Sequence, residues 1–142
     1  MHILMCNDDG ILADGLRQLA TYLSQYYRVT VVAPATEQSA KSHALTTEIP
    51  LKLDAYNGED ENPRLYALTG TPSDCMKFGL SYLLADDMPD LVISGINHGF
   101  NLGSDVLYSG TVSAAMESAF YGIPGLALSV ERYSIERGHE MH

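Results

Sequence analysis

Two adjacent aspartates, Asp8 and Asp9, stand directly after the apolar run Ile3 to Cys6 and Asn7. Carboxylates side by side at a strand end each raise the other's pKa, and holding both ionised is costly. A divalent cation between them offsets that cost. Joined by a hydroxyl and an amide oxygen from neighbouring loops, they would form an all-oxygen site suited to magnesium, manganese or calcium rather than zinc. The plainer explanation, one aspartate capping a turn or helix and the other solvated, suits an isolated Asp-Asp pair. Here the setting favours the cation, because hydroxyl, amide and glycine residues gather after the other apolar runs.

Three such segments stand out. Ser39 follows the run that ends at Pro34; it lacks the Gly-x-Ser-x-Gly elbow of a nucleophile and is better placed as a metal ligand. The segment Ser94-Gly95-Ile96-Asn97-His98-Gly99-Phe100-Asn101-Leu102-Gly103 spaces its glycines four apart, which fits neither the dinucleotide fingerprint nor a P-loop. Its glycines permit close backbone approach, while Asn97 and Asn101 offer neutral oxygens and amide donors, as a phosphate beside a metal requires. Ser109-Gly110-Thr111 opens a helix whose free N–H groups and dipole favour an anion, a role compatible with Ser109 or Thr111 acting as an N-cap.

Other residues are assigned no chemistry. His43 and His98 lie near these loops without a visible partner, and Lys41 is ordinary as a solvated cation. Thr71-Pro72-Ser73-Asp74 is a structural helix start with a capping box. The acidic run Asn57 to Pro63 has no EF-hand spacing and is expected as a solvated hairpin tip.

The elements that must position these residues alternate. Ile3 to Cys6 is a buried strand; Leu16, Leu19, Ala20 and Leu23 recur on one helical face; Val29 to Ala33 is a second strand. After the Thr46 to Leu53 and Arg64 to Thr69 segments, expected as a β-hairpin excursion, come a helix through Met76, Leu80 and Leu84, a strand Leu91 to Ser94, a helix through Val112, Ala115 and Ala119, and a strand Leu126 to Ser129. Near-continuous apolar strands alternating with helices predict one doubly wound, mainly parallel α/β domain over residues 1–142. Ligands of such sheets bind beyond the carboxyl ends of the strands, where the polar segments gather.

Composition narrows the partners. Eight Lys and Arg against eighteen Asp and Glu give a formal charge of -10, which repels long nucleic acid. The charge of a small phosphorylated ligand would have to be met by a metal ion or by helix N-termini. Cys6 and Cys75 show no zinc or disulfide spacing, and no signal peptide or membrane-spanning run is visible. A cytoplasmic protein without a membrane partner is expected.

Together these blocks resemble the survival protein SurE family of metal-dependent nucleoside monophosphate phosphatases. The resemblance rests on Ile3 to Gly10 with Gly15-Leu16, Val32-Ala33-Pro34 leading to Ser39, Gly70 to Cys75, Ser94 to Gly99, and Tyr108 to Val112, in the family's order. It implies a 5'/3'-nucleotidase, acid-phosphatase-like, with one magnesium or manganese ion per subunit held by Asp8, Asp9, Ser39 and Asn97. Asp8 and Asp9 would also be the catalytic carboxylates, and Asn101, Ser109, Gly110 and Thr111 would lie beside the phosphate. It further implies a homo-oligomer and a C-terminal region beyond the matched blocks, which this chain, ending at His142, is expected to lack. Cys6 stands where the family commonly has Thr. Two rivals share the same loops: a phosphatase forming an aspartyl-phosphate on Asp8, and a nucleotide- and metal-binding module without catalysis.

Overall fold

The computed structural model describes residues 1–36, 50–98 and 110–130. Strand β1 (His2–Cys6) is buried at all five positions, and β2 (Arg28–Pro34) at all but its first. Because successive strand residues face opposite ways, Ile3 and Met5 join Val29, Val31 and Ala33 in one core layer, while Leu4, Cys6 and Val32 enter a second. Both faces of these strands are therefore covered, as their unbroken apolar runs predict.

Helix α1 (Asp14–Leu23) closes the first layer with Leu16 and Ala20. Helix α2 (Pro72–Phe78), continued by one π-helical turn over Gly79–Leu83, closes the second with Cys75, Met76 and Leu80. Helix α3 (Gly110–Ala119) adds Ala114 to that layer. Burying each large aliphatic side chain stabilises the fold by about 1.5–3 kcal/mol.

The six strands lie in the order β3-β4-β2-β1-β5-β6, with β3 (Leu53–Ala55), β4 (Arg64–Leu68), β5 (Leu91–His98) and β6 (Gly125–Val130). All neighbours pair in parallel except β3 and β4. The chain builds outward from β1 to β2 and β4, then crosses by α2 to β5 on the other side of β1. The strand order thus reverses between β1 and β5, and the crevice beyond their carboxyl ends is where such sheets take ligands.

Two expectations are refined. The hairpin exists, but its second strand β4 is a parallel neighbour of β2 and so belongs to the main sheet; residues 46–49 of the expected first strand lie outside the described residues. Its tip Glu59, Asp60 and Glu61 is exposed. Strand β5 runs on to His98 rather than ending at Ser94, with a register shift against β6 between Ser94 and Asn97. Gly95, at φ +136°, accommodates the irregularity at a backbone angle that other residues rarely adopt. No helix among the described residues is long and apolar enough to cross a membrane.

Candidate active site

The loop leaving β1 is built by Asn7. Its side chain accepts from the Gly10 N–H at 3.1 Å and donates to the Gly10 carbonyl at 2.9 Å, while Gly10 takes φ +109°. The Ile11 N–H then donates to the Pro34 carbonyl at 2.9 Å, tying the loop to the end of β2. Asn7 is thus turned back on its own loop, beside the Asp8–Asp9 pair. Neither caps α1, which begins after Ala13 without a side-chain cap. Of the plainer explanation, a turn or helix cap, the helix cap is not what the structure shows.

Asp8 is 3% exposed and Asp9 half-buried. The Thr111 hydroxyl, on the first turn of α3, donates to Asp8 Oδ1 at 3.3 Å across 103 residues of sequence. That contact joins the two sides of the switch point. Asn97 lies at the end of β5, its backbone opposite Ser129 and three residues beyond Ser94, the register partner of Cys6. Ser39, Asn101 and Ser109 lie outside the described residues, as do Lys41 and His43, and Asn97 and His98 are described in their backbone alone. Gly110 is the first residue of α3.

The donor set fits a hard divalent cation. Two adjacent carboxylates at one strand end, one of them buried, concentrate negative charge that two-electron oxygen donors can share with a metal. No group of three or more His, Cys, Asp or Glu side chains capable of holding a metal occurs among the described residues. The remaining ligands would then be neutral oxygens, the type that Ser39 and Asn97 provide.

Several contacts support the site from behind. Thr71 and Asp74 form the expected capping box: the Asp74 N–H donates to Thr71 Oγ1 at 3.2 Å and the Thr71 N–H to Asp74 Oδ2 at 2.8 Å. This fixes α2 behind the site, where Cys6 Sγ meets the Pro72 carbonyl at 3.9 Å. Cys6 and Cys75, distant in sequence, are free, buried and neighbours in one core layer. Burial first, and then the Cys6 thiol beside it, push the Cys75 thiol up, which favours its protonated form. Ser94 Oγ and Ser73 Oγ are also buried, without hydrogen-bond partners among the described residues.

A cavity of about 720 Å³ opens at the opposite, amino-terminal end of the sheet, between His2, Tyr26, Tyr27, Arg28, Asp87 and Asp90. Its size does not make it the reaction centre. Arg28 meets Asp87 at 2.7 Å and the His2 N–H meets Asp90 at 2.8 Å, so its charges are matched within the chain.

Comparison with known proteins identifies the family. The profile of the family described as survival protein SurE matches residues 3–142. A protein named 5'-nucleotidase SurE from Thermoanaerobacter sp. (strain X514) is 56% identical over 129 residues, covering 91% of this chain and 50% of its own length. A protein of the same name from Thermosipho africanus (strain TCF52B) is 54% identical over 139 residues, covering 96% and 52%. The crystal structure of the Sure protein from Aquifex aeolicus superposes with a TM-score of 0.78 at 43% identity, covering 91% of this chain and 50% of that one. The chain spans about half the length of the curated relatives it matches.

Proposed function

This chain belongs to the survival protein SurE family, and from that premise we propose that it hydrolyses phosphate monoesters of nucleoside monophosphates at the carboxyl end of β1. The observation that carries the proposal is the Asp8–Asp9 pair at the switch point, with the start of α3 brought against it by Thr111. Asp8, Asp9, Ser39 and Asn97 would hold one magnesium or manganese ion. When bound, that ion would polarise a phosphate oxygen and lower the pKa of a water.

The chain's own residues do the rest. The first N–H groups of α3, at Gly110 and Thr111, point their positive dipole end at the phosphate. In so acidic a chain this neutral source of positive potential is how phosphate is held beside the cation. Asn101 and Ser109 add donors to the equatorial oxygens, whose charge is spread in the transition state. Asp9, more exposed than Asp8, takes the proton of the attacking water. The homo-oligomer implied by the resemblance belongs to the same proposal, and Met116, Phe120 and Leu126, 51%, 79% and 49% exposed on α3, just after it and on the edge strand β6, offer apolar surface for such contact.

The test is phosphate release from a nucleoside monophosphate by this chain with manganese or magnesium, beside a chelator control and Asp8→Asn. Release is expected to vanish with chelator and to fall at least about 100-fold in Asp8→Asn, the loss of roughly 3 kcal/mol of charge stabilisation. Wild-type turnover in Asp8→Asn would overturn the metal assignment. A phosphorylated aspartate trapped on Asp8 would replace water attack by a covalent route.

A further inference from the structure

We infer that the Thr111 side chain is a positioning residue for Asp8, not a phosphate ligand, so that the helix start meets the substrate through backbone N–H groups alone. This rests on the metal-site reading above. Thr111 is completely buried, and its Oγ1 lies 3.3 Å from Asp8 Oδ1. A hydroxyl has one proton to donate. Spent on Asp8, that proton is unavailable to a phosphate oxygen, and the lone pairs that remain would repel one.

The rest of the Asp8 loop is fixed through other atoms. Asn7 holds the loop backbone by its bonds to Gly10, and Ile11 ties it to Pro34. These contacts hold the loop backbone, whereas the Thr111 contact acts on the Asp8 carboxylate itself. Thr111 reaches that carboxylate from the far side of the crevice, engages one oxygen and so favours one orientation of the carboxylate plane. At 3.3 Å the bond is long for a hydroxyl donating to a carboxylate, which fits a role in orientation more than in fold stability. Partners of this kind behind a metal-binding carboxylate typically carry 10–100-fold in metal affinity. The same residue supplies a backbone N–H at the start of α3, so cation and phosphate positions become rigidly related through one amino acid.

The experiment is titration of this chain with Mn2+ by calorimetry, followed by inorganic phosphate at saturating Mn2+, for wild type, Thr111→Val and Thr111→Ser. Thr111→Val keeps the shape and removes the hydroxyl; Thr111→Ser keeps the hydroxyl. We expect Mn2+ affinity to fall about 10–100-fold in Thr111→Val and to stay within about threefold of wild type in Thr111→Ser. Phosphate affinity at saturating Mn2+ is expected to be unchanged in both. Circular dichroism checks folding; if Thr111→Val does not fold, Thr111→Ala against Thr111→Ser carries the same contrast. Wild-type Mn2+ affinity in the hydroxyl-free variant overturns the inference alone, as does a loss of phosphate affinity without a loss of Mn2+ affinity. Equal weakening in Thr111→Ser also overturns it, since packing of the methyl would then be the cause. Absence of Mn2+ binding in wild type overturns the metal-site reading and this inference together.

Discussion

The two ends of the sheet handle acidic residues in opposite ways. At the amino-terminal end acidic side chains meet partners within the chain, Asp87 on Arg28 and Asp90 on the His2 N–H, while His2 Nε2 meets the Thr30 hydroxyl at 2.9 Å. Asn62 adds a clamp there, accepting from the Val29 N–H at 2.8 Å and donating to the Ser24 and Tyr27 carbonyls at 3.0 Å. At the carboxyl end two carboxylates stand side by side, and a neutral hydroxyl, that of Thr111, reaches Asp8 from across the crevice. The first arrangement is matched within the chain; the second is the one the proposed cation would complete. Volume misleads here, because the 720 Å³ cavity lies at the self-sufficient end.

The contrast can be broken from either side. The largest effect is expected for Asp8→Asn, which should remove at least about 100-fold of phosphate release. Its melting temperature in chelator should equal or exceed that of wild type, because one of two repelling charges is gone; a large drop would show that Asp8 serves the fold. Next stands the 10–100-fold loss of Mn2+ affinity in Thr111→Val, with the fold retained. Asn62→Ala should do the reverse, costing about 1–3 kcal/mol in urea unfolding through its lost bonds while leaving phosphate release unchanged.

Smaller still is a pH effect centred on His2. Burial, and then Arg28, lower the His2 pKa from its ordinary 6.5 against the opposing pull of Asp87 and Asp90. The folded chain therefore holds the imidazole neutral, while the unfolded chain binds a proton below about pH 6.5. Stability from this site is complete above that pH and declines as pH falls through 6.5 toward the folded value. Unfolding midpoints measured from pH 7.5 to 5 should show that decline in wild type and a shallower one in His2→Gln. Least of all, Arg28→Ala should cost no more than about 1 kcal/mol, since the pair it breaks is more than half exposed. The Asp87 carboxyl, held below its ordinary 3.8 by the Arg28 hydrogen bond, should then move up in an NMR titration.

Much of this architecture is legible locally. The Leu16, Leu19, Ala20 and Leu23 stripe announces α1, and Thr71-Pro72-Ser73-Asp74 announces both the start of α2 and its capping box, because periodicity and capping depend on residues a few positions apart. The placement of β4 was not legible, since Arg64 to Leu68 reads as a hairpin strand whether or not it also pairs with β2. Nor was the end of β5: Gly95 and Asn97 carry loop composition, and only pairing with β6 extends the strand to His98. The Cys6–Cys75 neighbourhood and the Thr111–Asp8 bond join residues 69 and 103 positions apart, beyond the reach of any local pattern.

The sequence by itself determined the alternation of strands and helices, the acidic pair after β1 and the residue types able to complete a hard-cation site, because these depend on side-chain chemistry and short-range spacing. The tertiary structure decided what each polar residue does. Asn7 closes its own loop, and the Thr111 hydroxyl faces Asp8. Hydrogen-bond partners across a crossover are chosen by how helices and strands pack, and a proton donated to one oxygen is no longer there for another.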